Sequence, residues 1–394
     1  MFVIEVAFWT MVAVLLYAYL GYPLLIFVLA SLVQTKRDFQ SLFARPERRA
    51  ELPAAGDLPR VSIITPAYNE ERAMPEKLAN CLALDYPREK LEIIVASDGS
   101  TDGTNGIVES FAESGILLAA HQIRRGKPSV INDTVERAAG DILVLTDATS
   151  ILDPDSVRMA VRHFRDPAVG AVSGEVRLVS PDIGYKGESL YWRYEVMLKF
   201  LENRLGVVLG SSGSLCAVRK SAYRAIPADC ICDDLVITLN TVMDGHRAIY
   251  DPEVRSTEMT SSSVELERLR RIRIAAGNFQ ALGLTVKLLS PLRGWVALCY
   301  LSHKVLKWTS WAFMAAAFVA NLMLVYKPLY VTLLALQVAF YGSATIKATG
   351  ARLPVLDRLA GATYYFVSMQ LAMLQGFIRH LRGTQPVAWD RQHR

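Results

Sequence analysis

The chain has 394 residues, 43 of them lysine or arginine against 38 acids, for a net charge of +5. That is too long for one small domain, and too weakly basic to argue for a nucleic-acid partner. Hydrophobic residues make up 52% and the mean hydropathy is +0.24, which is high for a purely soluble protein and asks where the apolar excess is concentrated.

The first concentration is Val6–Thr35, which has no charged residue. As a helix it would be about 45 Å long, enough to cross a bilayer with tilt. It lacks a basic start and a small-residue cleavage site, so it reads as a membrane helix (residues 1–35) and not as a cleaved signal. Lys36, Arg37, Arg45, Arg48, Arg49 and Arg60 follow, which marks residues 36–58 as a basic linker on the cytoplasmic side.

From residue 59 the pattern changes to short β-branched runs alternating with helical spacing. "VSIITPAYNEE" is a strand and a turn; "KLANCLALDYP" is helical; "LEIIVASDGSTDGT" is a second strand running into an acid and glycines. "GKPSVINDTVERAAG" is a helix, "DILVLTDATS" a third strand, "PDSVRMAVRHF" a helix and "VGAVSGEVRL" a further strand. This alternation predicts an α/β domain with a mostly parallel sheet, extending to residue 262. In such sheets ligands sit beyond the carboxyl ends of the strands. Tyr68-Asn69-Glu70, Asp98-Gly99-Ser100 and Asp147-Ala148-Thr149 all fall there.

Asp98 can accept hydrogen bonds from ribose or base groups, or can serve only as a turn residue beside Asp102. Asp147, at the end of an apolar strand, needs a partner; a Mg2+ or Mn2+ ion shared with a diphosphate is one, since such ions need only one or two carboxylates. Asp233 and Asp234 begin a helix, where acids are stabilised by about 0.3–1 kcal/mol each regardless of function. Paired acids also raise one another's pKa, which suits a general base. "ELERLRRIRIAAGNFQAL" is an arginine-dense amphipathic helix suited to a membrane surface, and Arg270 and Arg273 share one face at i, i+3. Residues 263–307 are therefore expected to be interfacial helices. Trp308–Tyr326, Pro328–Ile346 and Leu359–Ile378 are further candidate spans (308–378), followed by a basic tail (379–394) whose side conflicts with the positive-inside rule. The five cysteines show no Cys-x-x-Cys pair, and Cys230-Ile-Cys232 reads as reduced thiols in preference to a metal pair.

"ITPAYNEE", "ASDGSTDGT", "GKPSVIN", "LTDATS", "GSSGSLCAVRK", "DDLVI" and "RRIRIAAGNFQAL" together resemble, in this order, the motifs of membrane-embedded family 2 glycosyltransferases with a GT-A fold, the group of cellulose, hyaluronan and chitin-type synthases and bacterial exopolysaccharide enzymes. The resemblance implies a Rossmann-like sheet flanked by transmembrane and interfacial helices, a bacterial inner-membrane location with the catalytic domain cytoplasmic, and a nucleotide-sugar donor, most often a UDP-sugar, with Mg2+ or Mn2+. It places Pro66, Tyr68, Asn69, Glu70 and Asp98 at the nucleotide, Lys127 near the diphosphate, and Asp147 on the metal. Asp234 becomes the base with Asp233 beside it, Arg270 and Arg273 flank the leaving diphosphate, and Gly213 and Ser214 lie in the acceptor region. The implied partners are a lipid-linked or polysaccharide acceptor, membrane lipid and other polysaccharide-assembly proteins.

Two departures matter. The family's Asp-x-Asp is Asp147-Ala148-Thr149, and its Gln-x-x-Arg-Trp is Arg270 to Ile274, without the Gln or the Trp. The second change favours single-sugar transfer, with a processive polysaccharide synthase as the alternative. A metal-dependent nucleotidyl- or phosphotransferase would call for a glycine- and lysine-rich first loop, which "TPAYNEE" is not.

Overall fold

The structure, a computed structural model, describes residues 1–41, 55–179, 186–259, 264–350 and 357–386. Most of the expected linker and the arginines of the extreme tail lie outside these residues. The first apolar run forms α1 (Phe2–Leu16) and α2 (Tyr22–Ser41), joined by one π-turn at Tyr17–Gly21. The π-turn has a cause. Pro23 has no N–H and its ring crowds the carbonyl four residues back, that of Tyr19. The Tyr194 hydroxyl donates to that carbonyl at 3.5 Å.

The α/β domain then runs β1 (Val61–Ala67), α3 (Met74–Leu82), β2 (Leu91–Asp98), α4 (Thr104–Glu109), β3 (Ile116–His121), α5 (Lys127–Arg137), β4 (Ile142–Leu145), β5 (Ser150–Leu152), α6 (Ser156–Val161), β6 (Val169–Val179), α7 (Lys186–Arg204), β7 (Cys216–Arg219), α8 (Asp233–Met243) and β8 (Arg247–Met259). All eight strands share one sheet in the order β3-β2-β1-β4-β7-β6-β8-β5. The expected α/β sheet is present, but it is mixed. β3, β2, β1 and β4 are parallel, whereas β7 enters antiparallel to both β4 and β6, and β5 is antiparallel to β8. The parallel half brings the carboxyl ends of β1, β2 and β4 to one edge, as the three polar clusters required.

Side chains alternate across the strands with period two. Ile63, Val95 and Val144 join a core with α3 and α6 on one face. Ile64, Ala96 and Leu143 join a second core on the other face, and that core also contains Tyr22, Ile26 and Ala30 of α2. The second half of this candidate span is thus built into the interior of the α/β domain.

After the sheet come α9 (Val264–Leu284), α10 (Trp295–Cys299), a π-turn at Tyr300–Val305, α11 (Leu306–Trp308), α12 (Ser310–Leu322), α13 (Pro328–Ala348) and α14 (Asp357–Arg382). Among the described residues, Phe2–Gln40 and Pro328–Ala348 are long and apolar enough to cross a membrane, and Trp295–Trp308 with Ser310–Leu322 forms a pair bent by 60°. The four candidate spans of the sequence therefore become two, or three if the bent pair is one span. The run Leu359–Ile378 is not among them. Its helix, α14, packs along α9, with Gly376 so close to Ala275 that a methyl group would lie 2.4 Å from the Ala275 Cβ, and with Phe377 against Phe279. Arg379, at the end of α14, lines the same cavity as Asp234. That placement explains the charge conflict: the described part of the tail lies on the side of the α/β domain.

Candidate active site

The loop between α7 and β7 organises the site. Gly213 packs against the end of β4 so closely that an added Cβ would lie 2.8 Å from Asp147 Oδ2. The Asp147 N–H donates to the Gly213 carbonyl at 3.0 Å. Ser211 reaches the other way, donating to the Asp234 carbonyl at 3.0 Å. One loop therefore ties the end of a sheet strand to the first turn of α8. Ser214, expected in the acceptor region, lines the cavity, but its hydroxyl is spent on Ser256 at 2.9 Å and it is buried. Gly213 thus fixes the position of Asp147. Gly213→Ala is expected to displace the Asp147 carboxylate and lower kcat/KM at least about tenfold, which is about 1.4 kcal/mol of transition-state stabilisation, while thermal unfolding stays within a few degrees of wild type; donor kinetics and a melting curve check both.

Lys127, first residue of α5, lies between two carboxylates: its Nζ is 2.8 Å from Asp147 Oδ1 and 3.0 Å from Asp233 Oδ2. Burial opposes its charge, but Asp147 and Asp233 outweigh burial and hold its pKa above the usual lysine range. The loop before it is held by Asp98, whose two carboxylate oxygens accept the N–H groups of Arg125 at 2.6 Å and Gly126 at 2.9 Å. A direct contact from Asp98 to a nucleoside must therefore share oxygens already used to aim Lys127.

Asp233 and Asp234 are the first two residues of α8, as expected. Burial, then the neighbouring Asp233, push the Asp234 carboxyl up to about 6, against the pull of Lys127. This is a carboxylate that is ionised at neutral pH yet basic enough to take a proton. Arg270 and Arg273 line the same cavity from α9; Arg270 faces Glu258 at 3.7 Å and Arg273 donates to the Ile231 carbonyl at 3.3 Å. Cys230 and Cys232 are buried free thiols beneath this turn, and burial pushes Cys232 up to about 12. Among the described residues no group of three metal-ligating side chains occurs.

The remaining expected residues form an adjoining cluster. Pro66 lines a small side pocket with Lys127, Asp147 and Asp234. Tyr68, Asn69 and Glu70 do not line the main cavity; they form a turn stitched to the β2–α4 loop. Asn69, with a left-handed φ of 55°, accepts from the Thr101 N–H at 2.8 Å, and the Glu70 N–H donates to Thr104 Oγ1 at 2.8 Å. The Arg124 guanidinium stacks 3.8 Å over the Tyr68 ring. Gly99 packs on that arginine's backbone, where a methyl group would come within 2.8 Å of its nitrogen.

Sequence reading missed Lys77. This fully buried lysine of α3 donates to Thr146 Oγ1 at 2.8 Å and to the Ser150 carbonyl at 2.6 Å, bracketing the Asp147 turn from below. Burial, opposed by Cys81 and Asp147, lowers its pKa. A lysine in an otherwise apolar helical stripe was the available signal. Also missed was the far end of the cavity, where α7, the Tyr300–Val305 turn and α14 meet.

At this edge of the α/β sheet, Asp147, Lys127 and the raised carboxyl of Asp234 line one cavity. Residues 62–226, within the α/β domain, match the family model described as Glycosyl transferase family 2. A poly-beta-1,6-N-acetyl-D-glucosamine synthase of Staphylococcus aureus (strain COL) is 28% identical over 233 residues, covering 57% of this chain and 56% of the relative. The enzyme of the same name from a Staphylococcus epidermidis strain is 24% identical over 229 residues, covering 56% of this chain and 55% of that one. The chain therefore spans about half the length of these curated relatives. Among solved structures, the mannosyltransferase PcManGT from Pyrobaculum calidifontis, in complex with GDP-Man and Mn2+, superposes with a TM-score of 0.69 at 25% identity, over 95% of this chain and 99% of that one.

Proposed function

We propose that this protein is a membrane-bound inverting glycosyltransferase. It moves a hexosyl or N-acetylhexosaminyl group from a nucleotide-sugar, most simply a UDP-sugar, to an acceptor hydroxyl in bacterial surface or exopolysaccharide assembly, from the cytoplasmic face of the inner membrane. The single observation that carries this reading is the convergence of Asp234, whose carboxyl burial and Asp233 hold above the usual range, with Lys127, Asp147 and the α9 arginines on the wall of one cavity of about 1120 Å3.

The chemistry follows from those groups. Asp234 takes the proton as the acceptor oxygen attacks the anomeric carbon in one displacement, which inverts it. Only one carboxylate is needed near the reacting carbon, unlike the pair of a retaining hydrolase. Lys127, Arg270 and Arg273 meet the charge that develops on the departing diphosphate. Asp147 suits a divalent ion: Gly213 seats its carboxylate at the cavity wall, and one carboxylate with phosphate oxygens is a sufficient donor set for Mg2+ or Mn2+. When bound, such an ion would neutralise part of the diphosphate charge. The Mn2+ in the PcManGT complex supports this use of a divalent ion. Tyr68 and Arg124 offer a stacking pair suited to a nucleoside base.

The test is nucleotide release by the purified full chain in lipid nanodiscs, with UDP- and GDP-sugars, Mn2+ and bacterial lipid-linked acceptors. The expected result is release from one donor only, abolished by chelation. No release from any sugar nucleotide would sink the reading. A second reading, processive synthesis, draws on the names of the staphylococcal relatives; Ile274 in place of the family's tryptophan weighs against it. Product length in the same assay decides, a single added sugar against a ladder.

A further inference from the structure

The cavity extends well beyond the space a donor sugar requires, past Asp234 to a cluster of charged side chains set among aromatic rings. On α7 are Glu195, Lys199 and Glu202; facing them are His303, Lys304 and Lys307. Most of these groups are matched. His303 Nδ1 is 2.7 Å from Glu202, and its Nε2 is 2.9 Å from Glu195. Lys307 bonds Glu195, and the Tyr22 hydroxyl donates to Glu202. Two carboxylates therefore serve one imidazole, one ammonium and one phenol.

Lys199 and Lys304 are left over. Neither has a carboxylate within ion-pair distance among the described residues. Lys199 has only the Ser173 hydroxyl at 3.4 Å and the Tyr250 ring at 5.2 Å. Burial, then the charge of Lys304, push Lys199 down to about 8, although Glu195, Asp234 and Glu202 pull the other way. Two shielded, like-charged ammonium groups facing one cavity are stabilised by an anion between them. The wall beside them is aromatic, from Tyr19 in the middle of the first membrane helix to Tyr191, Tyr194 and Phe366. An anion bound here would have an apolar chain as its natural continuation.

We infer that Lys199 and Lys304 bind the phosphate of a lipid-phosphate-linked acceptor, holding its first sugar between themselves and Asp234. This rests on the glycosyltransferase reading for the sugar and on the lysine pair alone for the phosphate. The acceptor is anchored by an anion at one end of the cavity while the hydroxyl end meets the base.

The binding site can be tested apart from turnover. Farnesyl phosphate, farnesol and inorganic phosphate are titrated separately against the full chain in nanodiscs, read by the fluorescence of Trp192 and Trp308, which line the cavity. Wild type should bind farnesyl phosphate at least about tenfold more tightly than either other probe, the scale of one charge-assisted contact. The K199Q/K304Q double variant should lose that preference, K199R/K304R should keep it, and both should bind UDP as wild type does, which reports an intact fold. Equal binding of farnesol, or an undiminished preference in K199Q/K304Q, would overturn the inference. Inorganic phosphate binding as tightly as farnesyl phosphate would overturn the lipid assignment. Farnesyl phosphate bound as expected, with no turnover of any sugar nucleotide, would instead remove the transferase reading and leave the anion site standing.

Discussion

Replacing Asp234 with asparagine is expected to lower kcat by about 10²–10⁴-fold, the usual contribution of a general base, while leaving the donor Kd within about twofold of wild type. The substitution keeps the shape of the side chain and its bond to the Leu235 N–H at 2.8 Å, but removes the proton acceptor. The wild-type rate also has a predictable pH dependence. Asp234 must be ionised to act, and burial and Asp233 raise its pKa to about 6. Activity should therefore be lost as pH falls through about 6 and should level off above it, and D234N should lose that acid limb. Steady-state kinetics on both proteins from pH 5 to 8 check this. A large loss of donor binding in D234N would show that Asp234 holds the nucleotide-sugar and is not the base.

Lys127→Met is expected to have the second-largest effect, through charge and not through shape. The change leaves Asp147 and Asp233 without the ammonium that lies 2.8 and 3.0 Å from them, with Asp234 close by. Removing one partner from a shielded ion cluster costs about 3–5 kcal/mol when fully buried; these side chains keep 13–23% of their exposure, so the lower end applies. Lys127 also pulls the Asp234 pKa down, more than the Leu235 N–H does. In K127M the acid limb of the pH profile should move to higher pH, and kcat/KM at pH 7 should fall by about 10²-fold or more, as for other lost electrostatic stabilisers. An unchanged pH profile would mean that the lysine and the base do not share a field. Melting temperature and pH-dependent kinetics on the same preparation separate the two effects.

Much of this site was legible before any coordinates. Asp98, Asp147 and Asp234 each stand at the end of a strand or the start of a helix, and short-range patterns locate such places well. The parallel strands β1, β2 and β4 carry dense apolar runs, and they too were read correctly. What escaped were β3, β5, β7 and β8. β7 is four residues long and pairs antiparallel between β4 and β6, so nothing in its own composition reveals its neighbours. The mixed sheet was hidden for that reason. Lys77 was hidden differently: its partners Thr146 and Ser150 lie about seventy residues away, and a lone lysine on a helix ordinarily reads as solvated. The Glu195–Glu202–His303 cluster joins segments about a hundred residues apart and has no motif spacing. Ion clusters assembled by tertiary packing leave no periodic trace.

α2 contributes Tyr22, Ile26 and Ala30, all almost fully buried, to the same interior as the sheet residues Ile64 and Leu143. The border of the candidate span Phe2–Gln40 therefore does not coincide with the border of the folding unit. A candidate membrane anchor is thus also one of the core-forming helices of the catalytic domain, so a change that unseats α2 would be felt in the packing beneath β1 and β4, the strands that lead into the site.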